Sequence, residues 1–255
     1  GYKSPKKGRS TVKVALSVCS LRERFLRGEL NNVSFLKYAA SLGVEGVELC
    51  DQYGEVGFGE LDEIRQVLAK TRLEVACYAL TSNFEDIEIV KQGLATALQL
   101  GSSCLRLQGD QSSPKQVMQV VSRLLPYIEE AEVTVCLEHN GLATALDSPY
   151  IKSTFAMADS VLAGERPTSS IGHVLASDLR LADSHEETHS VLGADGRHYV
   201  GSVLGLGLVP VQDLVRTLWE QNYKGWIAVD FAGLENPLFG IEASLKNLRQ
   251  YLREL

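Results

Sequence analysis

The 255-residue sequence lacks the features that mark several large classes of protein. No apolar run approaches the ~20 residues that a membrane-spanning helix needs. There is no GxGxxG turn and no P-loop, so two common signals of nucleotide binding are absent. The five cysteines include no CxxC pair, which argues against a zinc knuckle and against a disulfide framework. Positive charge is also scarce. The net charge is −7, whereas nucleic-acid-binding proteins normally carry a basic surface, so the composition argues against that class.

What is present describes an ordinary globular protein, with 45% apolar and 22% charged residues. Unpaired cysteines of this kind suit small buried side chains in a reducing compartment, so we expect a cytoplasmic protein. The opening stretch, GYKSPKKGRS, is basic and has no apolar core, so it does not resemble a signal peptide. We expect a flexible tail over residues 1–10 and a single domain over residues 11–255.

The cysteines recur at an informative interval. They lie 31, 27, 27 and 32 residues apart, each in or beside an apolar stretch rich in β-branched residues: Cys19, Cys50, Cys77, Cys104 and Cys136. This interval fits one strand, one helix and two loops. The pattern therefore predicts a strand that repeats with a helix after it.

Helical periodicity fills the intervals between these strands. Two of the predicted helices end at Gly43 and Gly101, and a third begins with Ser113 as N-cap and Pro114 at its first position. The second half is less regular. Its strand candidates are residues 153–159, 171–178 and 225–231, and two amphipathic helices flank the last of them.

Eight strand–helix units in about 250 residues predict an α/β fold, a single-domain (β/α)8 TIM barrel. The strands are apolar throughout, as in parallel sheets that helices cover on the outside. A doubly wound open sheet is the alternative. That fold usually binds phosphate with a glycine-rich turn after its first strand, and here the turn reads SVCSLRERF.

Acidic residues close five of the eight predicted strands, and a cation, Arg106, lies on the fourth. In a TIM barrel the chemistry takes place at the C-terminal ends of the strands. Carboxylates crowded there repel one another unless protons, a substrate or a cation intervene. A divalent metal ion with oxygen ligands would satisfy several of them at once. The five acids are Glu48, Glu138, Asp159, Asp178 and Asp230.

Several segments resemble the xylose-isomerase-like barrel superfamily, in its sugar-phosphate isomerase/epimerase branch. AASLGVEGVEL is similar to the second-strand segment of the family, LGSSCLRLQG to the fourth and VCLEHNG to the fifth. The stretch from GLGLVP to AVDF is similar to the turn, helix and strand that end the barrel. The resemblance runs from Val12 to about Leu252.

The resemblance implies a metal site made from strands five to eight. Glu138 and Asp159 match the first two ligands of the family, and Asp230 stands where the family usually has glutamate. Leu175 stands where the family has its histidine, so two of the four positions are altered. His173 lies one pleat deeper on the same face, about 6–7 Å away. The implied ion is Mn, Mg, Co or Zn.

The resemblance also implies an isomerase or epimerase-like enzyme that acts on a small sugar, sugar phosphate or keto-polyol. Glu138 and Asp230 would exchange a proton next to a carbonyl, with the metal or hydrogen-bond donors stabilising the enediolate. Glu48 and Arg106 either face the substrate or pair with each other. A metal-independent lyase or dehydratase, and a non-catalytic ligand-binding barrel, remain open. The absence of histidine before His139 argues against the endonuclease branch and against true xylose isomerases.

A long segment after the seventh strand is expected to lie above the barrel mouth. It is either a substrate lid, in which Arg197 meets an anionic group, or a solvated loop. Its HEETH stretch, residues 185–189, has the same letters as the HExxH motif of zinc metalloproteases, but the surrounding sequence does not support such a site. His139 is expected to point away from the barrel. The partners we expect are a small-molecule substrate, no nucleic acid and no membrane, with homo-oligomer formation left open.

Overall fold

Eleven strands occur in the part of the chain that the computed structural model describes, residues 12–54, 56–81, 86–108, 113–138 and 140–255. The predicted tail and His139 lie outside the described residues. The strands are β1 Lys13–Ser17, β2 Gly46–Cys50, β3 Glu74–Thr81, β4 Cys104–Gln108, β5 Thr134–Leu137, β6 Ile151–Ala156, β7 Ile171–Ala176, β8 Asp178–Leu181, β9 Val191–Leu192, β10 His198–Ser202 and β11 Trp226–Val229.

Eight of these strands form a closed parallel barrel in the order β1-β11-β7-β6-β5-β4-β3-β2. β8, β10 and β9 form a separate three-stranded antiparallel sheet in the segment after β7. The barrel confirms the predicted (β/α)8 fold. It also brings the C-terminal ends of the eight strands to one mouth.

Nine α-helices accompany the strands in the described residues. The capping signals explain where two of them begin: Asn31 and Ser34 form a capping box, and so do Ser113 and Gln116, with Pro114 at the first helical position. The helices are α1 Arg22–Leu26, α2 Asn32–Ser41, α3 Phe58–Thr71, α4 Ile87–Gln99, α5 Pro114–Ala131, α6 Asn140–Leu146, α7 Asp159–Leu162, α8 Val211–Glu220 and α9 Pro237–Arg253.

Two glycines end helices as predicted. Gly43 follows α2 with φ of 71°, and Gly101 follows α4 with φ of 64°. Both values lie in the left-handed region, which glycine enters without the steric cost that a Cβ would impose. These turns let the chain enter β2 and β4 from the bottom of the barrel.

The sixth and seventh strands end earlier than the sequence predicts. β6 stops at Ala156 and Asp159 begins α7, while β7 stops at Ala176 and Asp178 begins β8. The cause at Asp178 is tertiary. Its buried carboxylate accepts hydrogen bonds of 2.8–3.0 Å from backbone N–H groups, those of Leu179, Gly205, Gly207 and Val209.

The core fills both faces of the barrel strands. Outside, helices pack on the β-branched and leucine side chains. Inside, one apolar cluster contains Leu175 and Trp226 together with alanines of β1, β3 and β11. In the described residues no helix is long and apolar enough to cross a membrane.

Candidate active site at the barrel mouth

An ion pair between Arg22 and Asp230 lies at the mouth of the barrel. Asp230 directly follows β11, and Arg22 begins α1 in the loop that follows β1, the strand next to β11. Arg22 Nη2 lies 2.8 Å from Asp230 Oδ1, and Arg22 Nε donates a hydrogen bond of 2.6 Å to the carbonyl of Cys19. The second contact fixes the direction in which the guanidinium points.

The hydroxyl of Ser20 ties the same two loops together. It donates to the carbonyl of Val229 at 3.1 Å and accepts from the N–H of Phe231 at 2.9 Å. Both partners flank Asp230 in the chain. The position of the carboxylate relative to Arg22 is therefore set by buried backbone contacts.

The surroundings of Asp230 act on its pKa in opposite directions. Burial raises the pKa of Asp230 above the ordinary aspartate value, while Arg22 opposes this shift and Glu48 adds to it. About a quarter of the side chain remains exposed. A carboxyl group that reaches solvent and has a raised pKa is suited to general acid/base chemistry.

Below the mouth, a second set of charged groups lies inside the barrel. Glu48 pairs with Arg106 through Oε1 and with His173 Nε2 at 2.9 Å through Oε2. Arg106 also donates to Gln108 Oε1 at 3.1 Å. Glu48 and His173 are fully buried and Arg106 is 4% exposed. Glu48 and Arg106 therefore pair with each other, which is one of the two arrangements the sequence left open.

The charges of this set balance one another. Burial would raise the pKa of Glu48, but Arg106 and His173 outweigh it and hold that pKa at about 2. Two nitrogen atoms in the set, Arg106 Nε and His173 Nδ1, have no hydrogen-bond partner among the residues the structure describes. Unpartnered buried polar atoms are rare and need a physical reason.

The three acids that the resemblance assigns to a metal lie on different elements. Glu138 follows β5 with an exposed side chain, Asp159 is the partly buried first residue of α7, and Asp230 follows β11. Burial, with Glu165, raises the pKa of Asp159. In the described part of the chain, no cluster of three or more possible metal ligands within 4.8 Å includes any of these acids.

Leu175, which stands where the resemblance expects a histidine, lies in apolar surroundings in the structure. Leu175 is 8% exposed and packs with Trp226 and barrel alanines. Oδ1 of Asp230 is already bound to Arg22. The residues at the mouth therefore do not fit a preassembled metal site.

Arg197 lies in the turn between β9 and β10. Its Nε binds Asp195 Oδ2 at 2.8 Å, and its guanidinium lies 5.8 Å from the ring centroid of Tyr199. The side chain is 61% exposed. In this arrangement Arg197 holds its own hairpin together.

The HEETH stretch forms a 3-10 turn, Ser184–His189, instead of an α-helix. Glu186 accepts two hydrogen bonds from Arg180, at 2.8 and 2.7 Å. Asp183, His185 and Glu186 offer ligand atoms within 4.8 Å of one another. Both carboxylate oxygens of Glu186 already accept hydrogen bonds from Arg180, so we interpret this cluster as structural.

A cavity of about 450 Å³ borders the mouth beside the Arg22–Asp230 pair. Its lining includes Arg22, Arg24 and Arg27 from the loop and helix after β1, with His189 from the segment after β7. Glu23 and Glu235 line the same cavity, so its three arginines outnumber its carboxylates by one and the cavity is weakly basic. Its position next to a carboxylate with a raised pKa makes it the best-placed recess for a small substrate with an anionic group.

The sequence predictions missed Arg22, although a usable signal was present. Arg22 lies five residues after the end of β1, in the same SVCSLRERF turn whose lack of glycine argued against an open sheet. Loops that follow barrel strands supply the groups of the mouth. A scan of those loops for cations would have found it.

The chain belongs to the xylose isomerase-like TIM barrel family, which its residues 36–251 match. This agrees with the closed barrel. No curated protein sequence matches the chain.

Solved structures of this architecture cover almost the whole chain. The IolI protein with a bound zinc atom has a TM-score of 0.75 and 12% identity, over 95% of this chain and 99% of that one. A xylose isomerase-like TIM barrel protein from Mycobacterium smegmatis in complex with magnesium has a TM-score of 0.70 and 14% identity, over 96% and 98%. The 3-keto-D-glucoside 4-epimerase YcjR from E. coli has a TM-score of 0.67 and 15% identity, over 94% and 99%.

Proposed function

We propose that this protein is an isomerase- or epimerase-like enzyme that acts on a small sugar, sugar phosphate or keto-polyol. The observation that carries the proposal is the Arg22–Asp230 pair at the mouth of a barrel of this family, beside a weakly basic cavity. An epimerase of a keto sugar and a metal-bound IolI protein share the fold.

The proposed step is proton transfer next to a carbonyl. One carboxylate, Asp230 or Glu138, takes the proton from the carbon beside the carbonyl, and the electron pair moves onto the carbonyl oxygen. Arg22 donates hydrogen bonds to that oxygen as negative charge develops on it. Return of a proton to the opposite face of the same carbon gives an epimer. Protonation of the former carbonyl carbon, with transfer of the hydroxyl proton of the neighbouring carbon to the former carbonyl oxygen, gives an isomer.

The strand order supports roles for both carboxylates on different sides of a bound substrate. In the barrel order, β7 and β6 separate β11 from β5, so Asp230 and Glu138 approach a bound substrate from separate directions. An epimerase needs proton donors and acceptors on both faces of the reacting carbon. The Arg24 and Arg27 guanidinium groups in the cavity would bind a phosphate or carboxylate of the substrate.

A metal-independent lyase or dehydratase is the second candidate. Leu175 at the histidine position, together with the engagement of Asp230 by Arg22, favours chemistry supported by a guanidinium. The first step is the same in both reactions. In the lyase the enediolate then expels a hydroxyl group from the next carbon, and the Glu138 carboxylic acid would supply the proton that leaves with it as water.

The test is exchange of the proton next to the carbonyl in D2O, followed by NMR over a panel of aldoses, ketoses, their phosphates and keto-inositols. We expect exchange with the wild-type protein and a fall on the order of 10²-fold or more in E138Q and D230N. D213N, at an exposed position on α8, is the control and should exchange at the wild-type rate.

Loss of water from a substrate would select the lyase. Equal exchange by wild type, E138Q and D230N would refute the acid/base roles. Binding of a panel compound, seen as a raised melting temperature, with no exchange of any compound would replace the proposal with a ligand-binding barrel.

A further inference from the structure

Three cysteine thiols meet inside the barrel, away from the Arg22–Asp230 pair. Cys77 on β3, Cys104 on β4 and Cys136 on β5 are buried, unoxidised and in contact as one cluster. A ring nitrogen of His173, on β7, lies with the sulfur atoms of Cys77 and Cys104 so that all three atoms are within 4.8 Å of one another. Two sulfur atoms and one imidazole nitrogen, from β3, β4 and β7, therefore lie close enough together to share a metal ion.

His173 is held as a metal-binding histidine is usually held. Its Nε2 faces the Glu48 carboxylate at 2.9 Å, so Nε2–H donates to Glu48. Its Nδ1 has no hydrogen-bond partner in the described residues, and the whole side chain is buried. A carboxylate on one ring nitrogen and a metal on the other is the common arrangement of zinc-binding histidines.

Cys136 supplies the fourth donor. Its thiol contacts that of Cys104, and a Cβ on Gly172 would lie 2.6 Å from the Cys136 sulfur. Gly172 precedes His173 on β7, so the sulfur of Cys136 lies at the level of the histidine. The missing side chain at Gly172 leaves room for that sulfur inside the barrel.

We propose that Cys77, Cys104, Cys136 and His173 bind a zinc ion inside the barrel as a Cys3His site. Zinc is four-coordinate in structural sites, with Zn–S near 2.3 Å and Zn–N near 2.0 Å, so its donor atoms lie about 3.4–3.8 Å apart. The ligand atoms of Cys77, Cys104 and His173, which lie within 4.8 Å of one another, therefore need to move inwards by about 1 Å or somewhat more. The Cys136 sulfur lies outside this group of three, against Cys104, and moves in as the fourth donor. The thiols bind as thiolates, and the protons they lose pass to solvent.

Buried cysteines often serve only as small apolar side chains, and an apolar layer is the competing interpretation. The histidine separates the two. An apolar layer gains nothing from a buried imidazole with an unpartnered nitrogen, whose desolvation is unfavourable, whereas a metal ion satisfies that nitrogen. This site is independent of the function proposed at the mouth.

A recess lies at the opposite end of the barrel, close to the cysteine cluster. A cavity of about 420 Å³ opens there, lined by Thr134, Lys152, Gly172 and Tyr223 among others. Gly172 thus borders both the cavity and the sulfur of Cys136. We therefore expect an ion to enter from this side, away from the acids of the mouth, when the residues between the cavity and the thiols move.

The first experiment measures metal content of tag-free protein by inductively coupled plasma mass spectrometry. We expect about one zinc per chain in the wild type and less than a tenth of that in C77S/C104S. The matched control is C19S/C50S, which removes two thiols outside the cluster and should keep the zinc. Zinc that persists in C77S/C104S, or that is lost only in E138Q/D230N, overturns the proposal.

The second experiment needs no variant that risks misfolding. Wild-type protein is unfolded, stripped of metal and refolded with Co²⁺, and its absorption spectrum is recorded. Tetrahedral thiolate coordination produces sulfur-to-cobalt charge transfer and intense visible bands, which zinc should then abolish. Refolded protein without these bands overturns the proposal, and the same spectrum in C19S/C50S supports it.

Discussion

At the scale of single residues, Arg22 sets the chemistry available at the mouth. Its guanidinium contacts Asp230 at 2.8 Å and is fixed by the carbonyl of Cys19. A fixed cation beside a carboxylate serves two purposes. It keeps that carboxylate ionised in a partly buried place, and it offers hydrogen-bond donors to a negative oxygen on a substrate.

Replacement of Arg22 by methionine should shift the pH dependence of proton exchange upwards. Arg22 lowers the pKa of Asp230 while burial raises it, so loss of the cation leaves burial unopposed. A base must be ionised to act, and therefore the acidic limb of the rate profile moves to higher pH. The maximal rate should also fall on the order of 10²-fold, because a donor to the developing oxyanion is lost.

The control for this prediction is R216M. Arg216 is an exposed arginine on α8, outside the lining of the cavity at the mouth, so its loss should leave the acidic limb where it is. The measurement is the exchange rate in D2O from pD 4 to 9. An acidic limb that stays in place or moves to lower pH in R22M would show that Arg22 does not act on Asp230.

The same scale shows what a sequence predicts about a site. The sequence predicts that Glu48 and Arg106 either face the substrate or pair with each other, and the structure shows the pair. That His173 completes the set follows from the closure of the barrel, since it lies 125 positions from Glu48 in the chain. Contacts of that kind depend on strand order and shear, which local patterns do not contain.

At the scale of elements, the Asp178 carboxylate joins the barrel to the segment after β7. The four backbone N–H groups that it binds come from two chain segments, β8 at Leu179 and the loop 205–209. The backbone there is packed closely. A Cβ on Gly207 would lie 2.3 Å from both the Asp178 carboxylate and the Leu179 carbonyl.

We therefore predict that D178A destabilises the protein by about 3 kcal/mol. Hydrogen bonds to a charged acceptor contribute about 1.5–3 kcal/mol each, and the loss of one acceptor leaves several amides unsatisfied, although such contributions do not add fully. Urea unfolding measures the loss of stability. Relative to the wild type, amide hydrogen exchange in D178A should increase most in loop 205–209.

D213A provides the comparison at an exposed aspartate on α8. The Asp213 carboxylate lies 3.3 Å from Arg166 with both side chains more than half exposed, so its loss should cost less than about 0.5 kcal/mol. Equal stability of D178A and wild type, or unchanged exchange in loop 205–209, would contradict the role assigned to Asp178.

Asp178 also explains why strand ends were harder to predict than helix ends. Gly43, Gly101 and Ser113 carry their signals locally, in a positive φ or a capping hydroxyl, and each prediction was confirmed. The end of β7 depends on amides of Gly205 and Gly207, almost thirty residues later. No local pattern around Asp178 records that contact.

At the scale of the whole molecule, periodicity carried most of the information about the fold. The recurrence of Cys50, Cys77, Cys104 and Cys136 along the chain places them in consecutive strands of the barrel. That recurrence predicted the architecture because each strand–helix unit packs against the next. It did not predict that three of the thiols meet, since this requires their side chains to face the same interior.

The barrel interior is closed at its N-terminal end by Trp226. The indole is 6% exposed, its Nε1 donates to Ser103 Oγ at 3.2 Å, and Lys13 Nζ lies 5.0 Å from the ring centroid. A Cβ on Gly46 would lie 2.7 Å from the ring. The ring thus contacts residues near the starts of three strands, and its burial depends on the closure of the barrel.

The two tryptophans of the chain give a direct measure of what this closure contributes. W226A should lower the free energy of unfolding by about 3–5 kcal/mol, because it leaves a cavity and removes the contact to Ser103. W219A removes a side chain that is 47% exposed on α8 and should cost about 1 kcal/mol or less. Urea unfolding followed by far-ultraviolet circular dichroism compares the two. Losses of equal size would mean that the N-terminal end of the barrel tolerates an open interior, and that stability resides in the outer layer of helices instead.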